Sequence, residues 1–301
     1  MRKFFVAAAL TTSLLLAPAC ELQSQARVDS IRRMNEGIKQ LQKNNVSGAE
    51  KALKEAVQLD PTHAAAHANL GKLYRKQGKF ADAAGAFEQA IATSGDSPDA
   101  SYAYELGLVV VAQADAQGVS RNERDAKYNE AIEAFQQAIK TNPKHYRAHY
   151  RVGSLYEELD QPAQADAAYR ASIDINAKYS PAFVSLGNMY IDYGHSNVAM
   201  SVLDAGVQIN ETDAAMWNGL GRAYRTLNKP KEAVDAFKKA KAIDPDMPDV
   251  LFGLGMAYAE MRQKKEAQEA LEAFLAKAGG EVPEDILKAA RDTLARMQDV
   301  I

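Results

Sequence analysis

The 301-residue chain has a single cysteine, Cys20, and a single tryptophan, Trp217. One cysteine excludes a disulfide framework within the chain. No HExxH segment occurs, and no cysteine lies near the five histidines, His63, His67, His145, His149 and His195. Two histidine pairs have i, i+4 spacing, but His63 and His145 occupy the same place in a repeated block, so the pairs echo the repeat and do not mark a zinc site. Glycine-rich phosphate loops are absent, and no nucleophile, base and orienting group form a catalytic constellation. The formal net charge is −3 and the basic residues are dispersed. This argues against a nucleic-acid footprint and against a polybasic patch for anionic lipid. The expectation is a protein that is not an enzyme, holding neither metal nor cofactor.

What the chain does contain is a block that recurs. One copy reads Asn69-Leu70-Gly71-Lys72-Leu73-Tyr74, then Ala83, Phe87 and Ala90. It returns as Gly153, Tyr156, Ala165 and Tyr169, and again as Leu186-Gly187, Tyr190 and Ala199. The fullest copy has Trp217, Leu220-Gly221, Tyr224, Ala233, Phe237, Ala240 and Pro245, and the last has Leu254-Gly255, Tyr258 and Ala267. The last four copies start at Tyr146, Ser180, Ala214 and Pro248, each 34 residues after the one before. A fixed period of this size marks a solenoid, in which each unit buries its apolar face against its neighbours. Small Gly and Ala let two helices approach, and Tyr or Phe fills the space beside them. Asp60-Pro61 and Asp244-Pro245 stop second helices, because the residue before proline avoids the helical region. Pro162 and Pro230 open second helices, where the missing N–H costs nothing.

This pattern resembles the tetratricopeptide repeat, a pair of antiparallel helices. The resemblance implies an all-α, right-handed superhelical solenoid of about seven helix-turn-helix repeats with a C-terminal capping helix. The repeats fall at 30–63, 64–99, 100–145, 146–179, 180–213, 214–247 and 248–281, and the cap at 283–301. Repeat 1 has a polar first helix, as a terminal repeat requires. Repeat 2 carries two extra residues in the Gly95-Asp96-Ser97-Pro98 turn. Repeat 3 is 46 residues long and carries twelve extra. The expectation is that both its helices lengthen into a projecting hairpin that turns near Gly118, with Ser120 and Glu123 at capping-box spacing.

The resemblance also implies a binding surface. First helices of such repeats line a concave groove, and the positions that face it here are Tyr104, Leu108, Val111, Arg147, Tyr150, Ser154, Val184, Asn188, Ile191, Asn218, Arg222, Arg225, Phe252 and Met256. Apolar anchors in such a groove take an extended or helical protein segment, and Asn188 and Asn218 are placed to bond its backbone. The alternative is that some of these side chains only pack between repeats. The family's clamp for a chaperone C-terminus uses Lys, Asn, Asn, Lys and Arg. Arg147 and Arg151 resemble its last pair, but Glu105 stands at the middle Asn, and Ala68 and Lys72 replace the first pair. That clamp is not expected.

The N-terminus begins Met1-Arg2-Lys3, continues with a mostly apolar run from Phe4 to Leu16, and ends Ala17-Pro18-Ala19. Residues 1–19 read as a secretory signal peptide, too short for a permanent span. Cys20 follows, in a position that resembles the lipidated cysteine of a bacterial lipoprotein, with 20–29 as the lipidated Cys and a short polar tether. The match departs from the usual lipobox, since Ala17 stands where a branched apolar residue is common and Leu16 lies one place too early. Ala17-x-Ala19 also suits ordinary cleavage, which would give a soluble periplasmic protein. Glu21 after the cysteine favours the outer membrane by the family's sorting habits. Signal, cysteine and repeats together resemble pilotin-like lipoproteins that assist secretin-type pilus, secretion or motility machines. An adaptor for cell-wall hydrolases or envelope proteases is the second expectation, and an enzyme or solute binder the third. The mature chain is expected to start at Cys20 and to carry added acyl mass. Intact-protein mass spectrometry checks this, and a Cys20 start at the bare peptide mass refutes the anchor.

Overall fold

A computed structural model describes residues 16–95, 98–280 and 282–298. Among these residues all regular structure is α-helical. The chain divides into two compact units between Ala148 and His149.

The first unit holds α1 (Leu16–Gln42), α2 (Val46–Leu59), α3 (Ala64–Lys76), α4 (Phe80–Ala92), α5 (Ala100–Ala114) and α6 (Arg121–Thr141). The second begins within α7 (Tyr146–Glu158). It continues through α8 (Pro162–Ile175), α9 (Ser180–Asp192), α10 (Ser196–Ile209), α11 (Ala214–Thr226), α12 (Pro230–Ile243), α13 (Pro248–Glu260), α14 (Lys264–Lys277) and α15 (Glu284–Gln298). Within each unit, second helices pack on their own first helices and on the first helix of the following pair, and α8 meets α7 where Tyr169 covers Gly153. None of the described helices is long and apolar enough to cross a membrane.

One contact builds every pair. Each first helix presents a glycine to a bulky side chain of its second helix: Gly37 to Leu53, Gly71 to Phe87, Gly107 to Phe135, Gly153 to Tyr169, Gly187 to Leu203, Gly221 to Phe237 and Gly255 to Leu271. A Cβ on any of these glycines would lie 2.5–3.0 Å from that side chain. Four residues before each bulky residue stands an alanine: Ala49, Ala83, Ala131, Ala165, Ala199, Ala233 and Ala267, all at 0% exposure. The turn that follows the first helix also repeats. Asn44, Gly78, Asp160, Gly194, Asn228 and Arg262 all adopt left-handed φ between 55° and 78°. Gly, Asn and Asp tolerate that region; arginine is an uncommon occupant.

The expected insertion in repeat 3 is present but uneven. α5 has 15 residues and α6 has 21, against 13 in α3 and 14 in α8. Most of the extra length therefore enters the second helix. Gly118 turns with φ +86°, and Ser120 Oγ accepts the Glu123 N–H at 3.4 Å. Tyr128, buried, donates its hydroxyl to Asp115 at 2.7 Å and ties the base of the loop. The extra turn residues Asp96 and Ser97 lie outside the described residues.

The N-terminal expectation needs correction. Residues 20–29, read as the lipidated Cys and a short polar tether, lie inside α1, whose backbone is helical from Leu16. Local periodicity missed this because the ties are distant in sequence. Arg27 forms an ion pair with Asp60 and donates to the Thr62 carbonyl and hydroxyl at 3.2 and 3.0 Å. Residues 1–15 of the expected signal peptide, and the side chain of Cys20, lie outside what is described. The cap appears as α15, packed on α13 and α14, with 299–301 outside the described residues.

Beside Arg27, buried Ser30 donates to the Ala56 carbonyl at 2.8 Å and so accepts from His63 Nδ1 at 2.7 Å. His67 Nε2 lies 2.9 Å from the Pro61 carbonyl. Both histidines are buried and serve as packing and hydrogen-bonding groups. Burial and the nearby Arg27 charge hold His63 below its ordinary value of 6.5, against the opposing pull of Asp60. The unfolded chain therefore takes up this proton first on acidification, so stability is full above pH 6.5 and falls as pH drops below it. Urea midpoints measured from neutral pH down to the start of carboxylate titration should decline in the wild type. The decline should be shallower in His63→Gln.

Candidate functional site

The repeat register sorts the expected groove residues into columns. Tyr150, Val184, Asn218 and Phe252 stand 34 residues apart, as do Ser154, Asn188, Arg222 and Met256. Ile191 and Arg225 belong to a third column one turn further along each helix. In the second unit α11 lies against both α9 and α13, so these first helices form one layer and the columns run across it.

The middle of this layer is polar. Arg222 Nη1 donates to Asn188 Oδ1 at 2.8 Å, and its Nη2 lies 3.4 Å from Asp192. Arg225 gives Nε and Nη2 to one oxygen of Glu260, at 3.0 and 2.9 Å. Asn218 is only 8% exposed, and its Oδ1 is buried with no hydrogen-bond partner. Leaving a buried acceptor unpaired costs about 1–3 kcal/mol. Val184 flanks this centre, half-buried against the cluster of Phe183, Leu203 and Met216. Ile191 and Ser154 are also half-buried. Tyr150 stands edge-on to Tyr179 with ring centres 5.3 Å apart, and its hydroxyl is 3.5 Å from Ser185.

Phe252 and Met256 sit differently from the expectation of an open groove. Phe252 packs on Phe274 at 5.2 Å between ring centres, and both residues join the cluster that α15 completes through Ile286, Leu287 and Leu294. Met256 Sδ lies 3.7 Å from the Thr293 hydroxyl. The cap helix thus forms a wall at the α13 end of the layer.

Electrostatics at the other end come from a buried phenol and a half-buried carboxylate. Tyr169 donates to Glu157 at 2.7 Å. Burial, then the Glu157 carboxylate, pushes the Tyr169 phenol well above its ordinary range, and burial raises Glu157 despite that hydrogen bond. Tyr169 is therefore a neutral, fixed donor at physiological pH.

The remaining expected residues belong to the first unit. Tyr104 is half-buried, packed on Phe135 and His145 with ring centres 5.5 and 4.7 Å away. Leu108 and Val111 are half-buried on α5. Arg147 is exposed, its guanidinium 5.7 Å from the Tyr146 ring. Glu105, which stands where the chaperone clamp has asparagine, pairs with Arg75 at 3.2 Å.

Sequence reasoning missed Asp192, Glu260 and the packing of Phe252 and Met256 against α15. A signal was available for the ion pairs. Arg222 and Asp192 are 30 residues apart, Arg75 and Glu105 also 30, and Arg225 and Glu260 35, all close to one repeat length.

Three tetratricopeptide repeat models match the sequence, one over residues 34–98, 69–117 and 123–180, a second over 214–247 and a third over 249–279. No curated protein matches it. Among solved structures, the C-terminal part of a repeat-containing protein from Cytophaga hutchinsonii is similar, with TM-score 0.65 and 15% identity, covering 87% of this chain and 99% of that one. YrrB, a repeat protein with an unusual peptide-binding site, is similar with TM-score 0.51 and 21% identity, over 67% of this chain and 97% of its own. PilW, a widely conserved type IV pilus biogenesis factor, gives TM-score 0.55 and 18% identity, over 73% and 96%. At these identities the likeness is one of fold.

Asn218→Leu should remove the unpaired carbonyl and extend the apolar column of Val184 and Phe252. The expected result is a gain of about 1 kcal/mol in unfolding free energy, read from urea melts. A loss of stability would show that the Asn218 amide is satisfied in the folded protein.

Proposed function

Because the chain belongs to the tetratricopeptide repeat family, we propose that it is a non-enzymatic scaffold that holds a protein segment against the first-helix layer of α9, α11 and α13. The observation that carries this reading is that α11 lies against both α9 and α13, so that half-buried apolar and polar side chains share one face. These side chains include the Asn188–Arg222 pair and apolar Val184. Half-buried Val184 and Ile191 offer apolar surface to the side chains of an extended or helical segment, and the polar groups beside them can meet its backbone. The peptide-binding site of YrrB supports the class of ligand, as a property of that protein.

The setting we propose is the bacterial periplasm, with Cys20 as the lipid-bearing first residue at the outer membrane and the scaffold assisting an envelope machine. Support comes from the signal-like residues 1–19, from the placing of the sole cysteine directly after them, and from the fold likeness to a pilus biogenesis factor. Recruitment of a cell-wall hydrolase or protease by the same surface is the second reading, resting on the same features.

In-cell photo-crosslinking from Val184 or Tyr150, with Lys238 on the second helix α12 as control, tests the surface and its client together. A discrete protein adduct from the first two positions and none from Lys238 is the expected result. A secretin or pilus component among the adducts selects the machine, and a hydrolase selects the adaptor. Adducts from Lys238 alone would place the function on another face.

A further inference from the structure

The wall that α15 builds against α13 also shapes a cavity of about 540 Å³ beside the α13–α14 turn. Met256, Ala259 and Met297 give it apolar surface, and Arg262, Lys264 and Arg296 bring cations to it. Its one carboxylate, Glu260, already accepts both Nε and Nη2 of Arg225. Arg296 gives Nε to the Asp292 carbonyl at 3.2 Å and Nη2 to the Thr293 hydroxyl at 3.1 Å, which fixes the guanidinium without neutralising it. Among the described residues, neither Arg262 nor Arg296 forms an ion pair with a carboxylate. In a chain whose formal charge is −3, this is a local concentration of positive charge around an apolar hollow.

Arg262 carries a second, independent sign. It adopts φ +59° at the turn position where the three preceding repeats have Asp160, Gly194 and Asn228. Those residue types suit left-handed backbone, and a long side chain does not. The fold thus bears a backbone cost at the one turn of these four that lines the cavity, and such costs concentrate where a side chain has a task besides folding.

We propose that this cavity anchors an acidic-apolar protein segment. A bulky apolar side chain rests on Met256, Ala259 and Met297, and a carboxylate near it in sequence pairs with Arg262 and Arg296. The volume lies within the range of about 300–1,000 Å³ typical of ligand sites, enough for one large side chain and its flanking backbone. The proposal rests on the reading of the first-helix layer as a segment-binding surface, because Met256 and Ala259 are α13's share of it. It adds the chemistry of the partner and the end at which the partner is held.

The test is selection of a random peptide library displayed on phage against the purified full chain, followed by affinity measurement on synthesised winners. Expected winners place Asp or Glu close to Leu, Ile or Phe. They should bind the double variant Arg262→Asn, Arg296→Gln at least ~10-fold more weakly, the scale of one lost charge-assisted hydrogen bond. Arg262→Asn alone should raise the melting temperature while weakening binding, which excludes misfolding as the cause. Winners without acidic residues, or unchanged affinity in the double variant, overturn the proposal. Val184→Arg separates the two readings. Affinity lost there but kept in the double variant leaves the α9–α13 surface standing and removes this anchor. The reverse leaves the anchor and removes the wider surface, and a selection that yields no binding peptide removes both.

Discussion

The contact between a glycine on each first helix and a bulky side chain on each second helix sets the geometry of this protein. The two residues are 16 positions apart in six of the seven pairs. In the seventh, Gly107 and Phe135, the separation is 28, the usual distance plus the twelve inserted residues. The insertion is therefore absorbed wholly between the two halves of one contact, and the contact reforms beyond it. Helix–helix distance depends on this close approach, and the buried alanine column depends on the distance. No pair covers its own apolar surface, so the stacking of neighbours within each unit follows as a consequence.

This explains which parts of the fold were legible in the sequence. The glycine, alanine and bulky positions lie within one repeat and recur with a fixed period, so register alone locates them. The length of α1 was not legible, because it is tied down by Arg27 reaching to Asp60 and Thr62, more than thirty residues away. Nor was the division of the repeat 3 insertion, since nothing local says that α6 takes more of it than α5. The left-handed turn position was hidden for another reason. Glycine and asparagine announce such a conformation, but Arg262 does not.

The candidate site was legible to the same degree. Period fixes which side chains share a face, and the columns through Val184, Asn218 and Arg222 fall on adjoining first helices as the register implies. What period does not fix is how side chains on that face satisfy one another. Arg225 is committed to Glu260, Arg222 to Asn188, and Phe252 and Met256 to the cap helix. These are relations between neighbours, and they decide how much of the face remains open. The surface is narrower and more polar at its centre than a tally of its residues suggests.

Seven copies in one chain also act as an internal comparison. Where the fold demands a residue type, the copies agree: glycine seven times at the first-helix contact, alanine seven times on the second helix. The column that ends in Asn218 and Phe252 shows no such agreement, holding in order Met34, Ala68, Tyr104, Tyr150, Val184, Asn218 and Phe252. A position that accepts methionine, alanine, tyrosine, valine, asparagine and phenylalanine is not held to one residue type by its own pair, and its occupants pack in different surroundings, Ala68 at 2% exposure and Phe252 against Phe274. Its occupant in each repeat answers to a local requirement. At Asn218 that occupant is worse for the fold than the apolar residues on either side, because it buries an acceptor with no donor. At Arg262 the occupant is likewise worse than the residues its neighbours use. These two departures against the grain of folding lie in one unit, on the first-helix layer and at the turn where that layer meets the cap, the places on which the proposed readings rest.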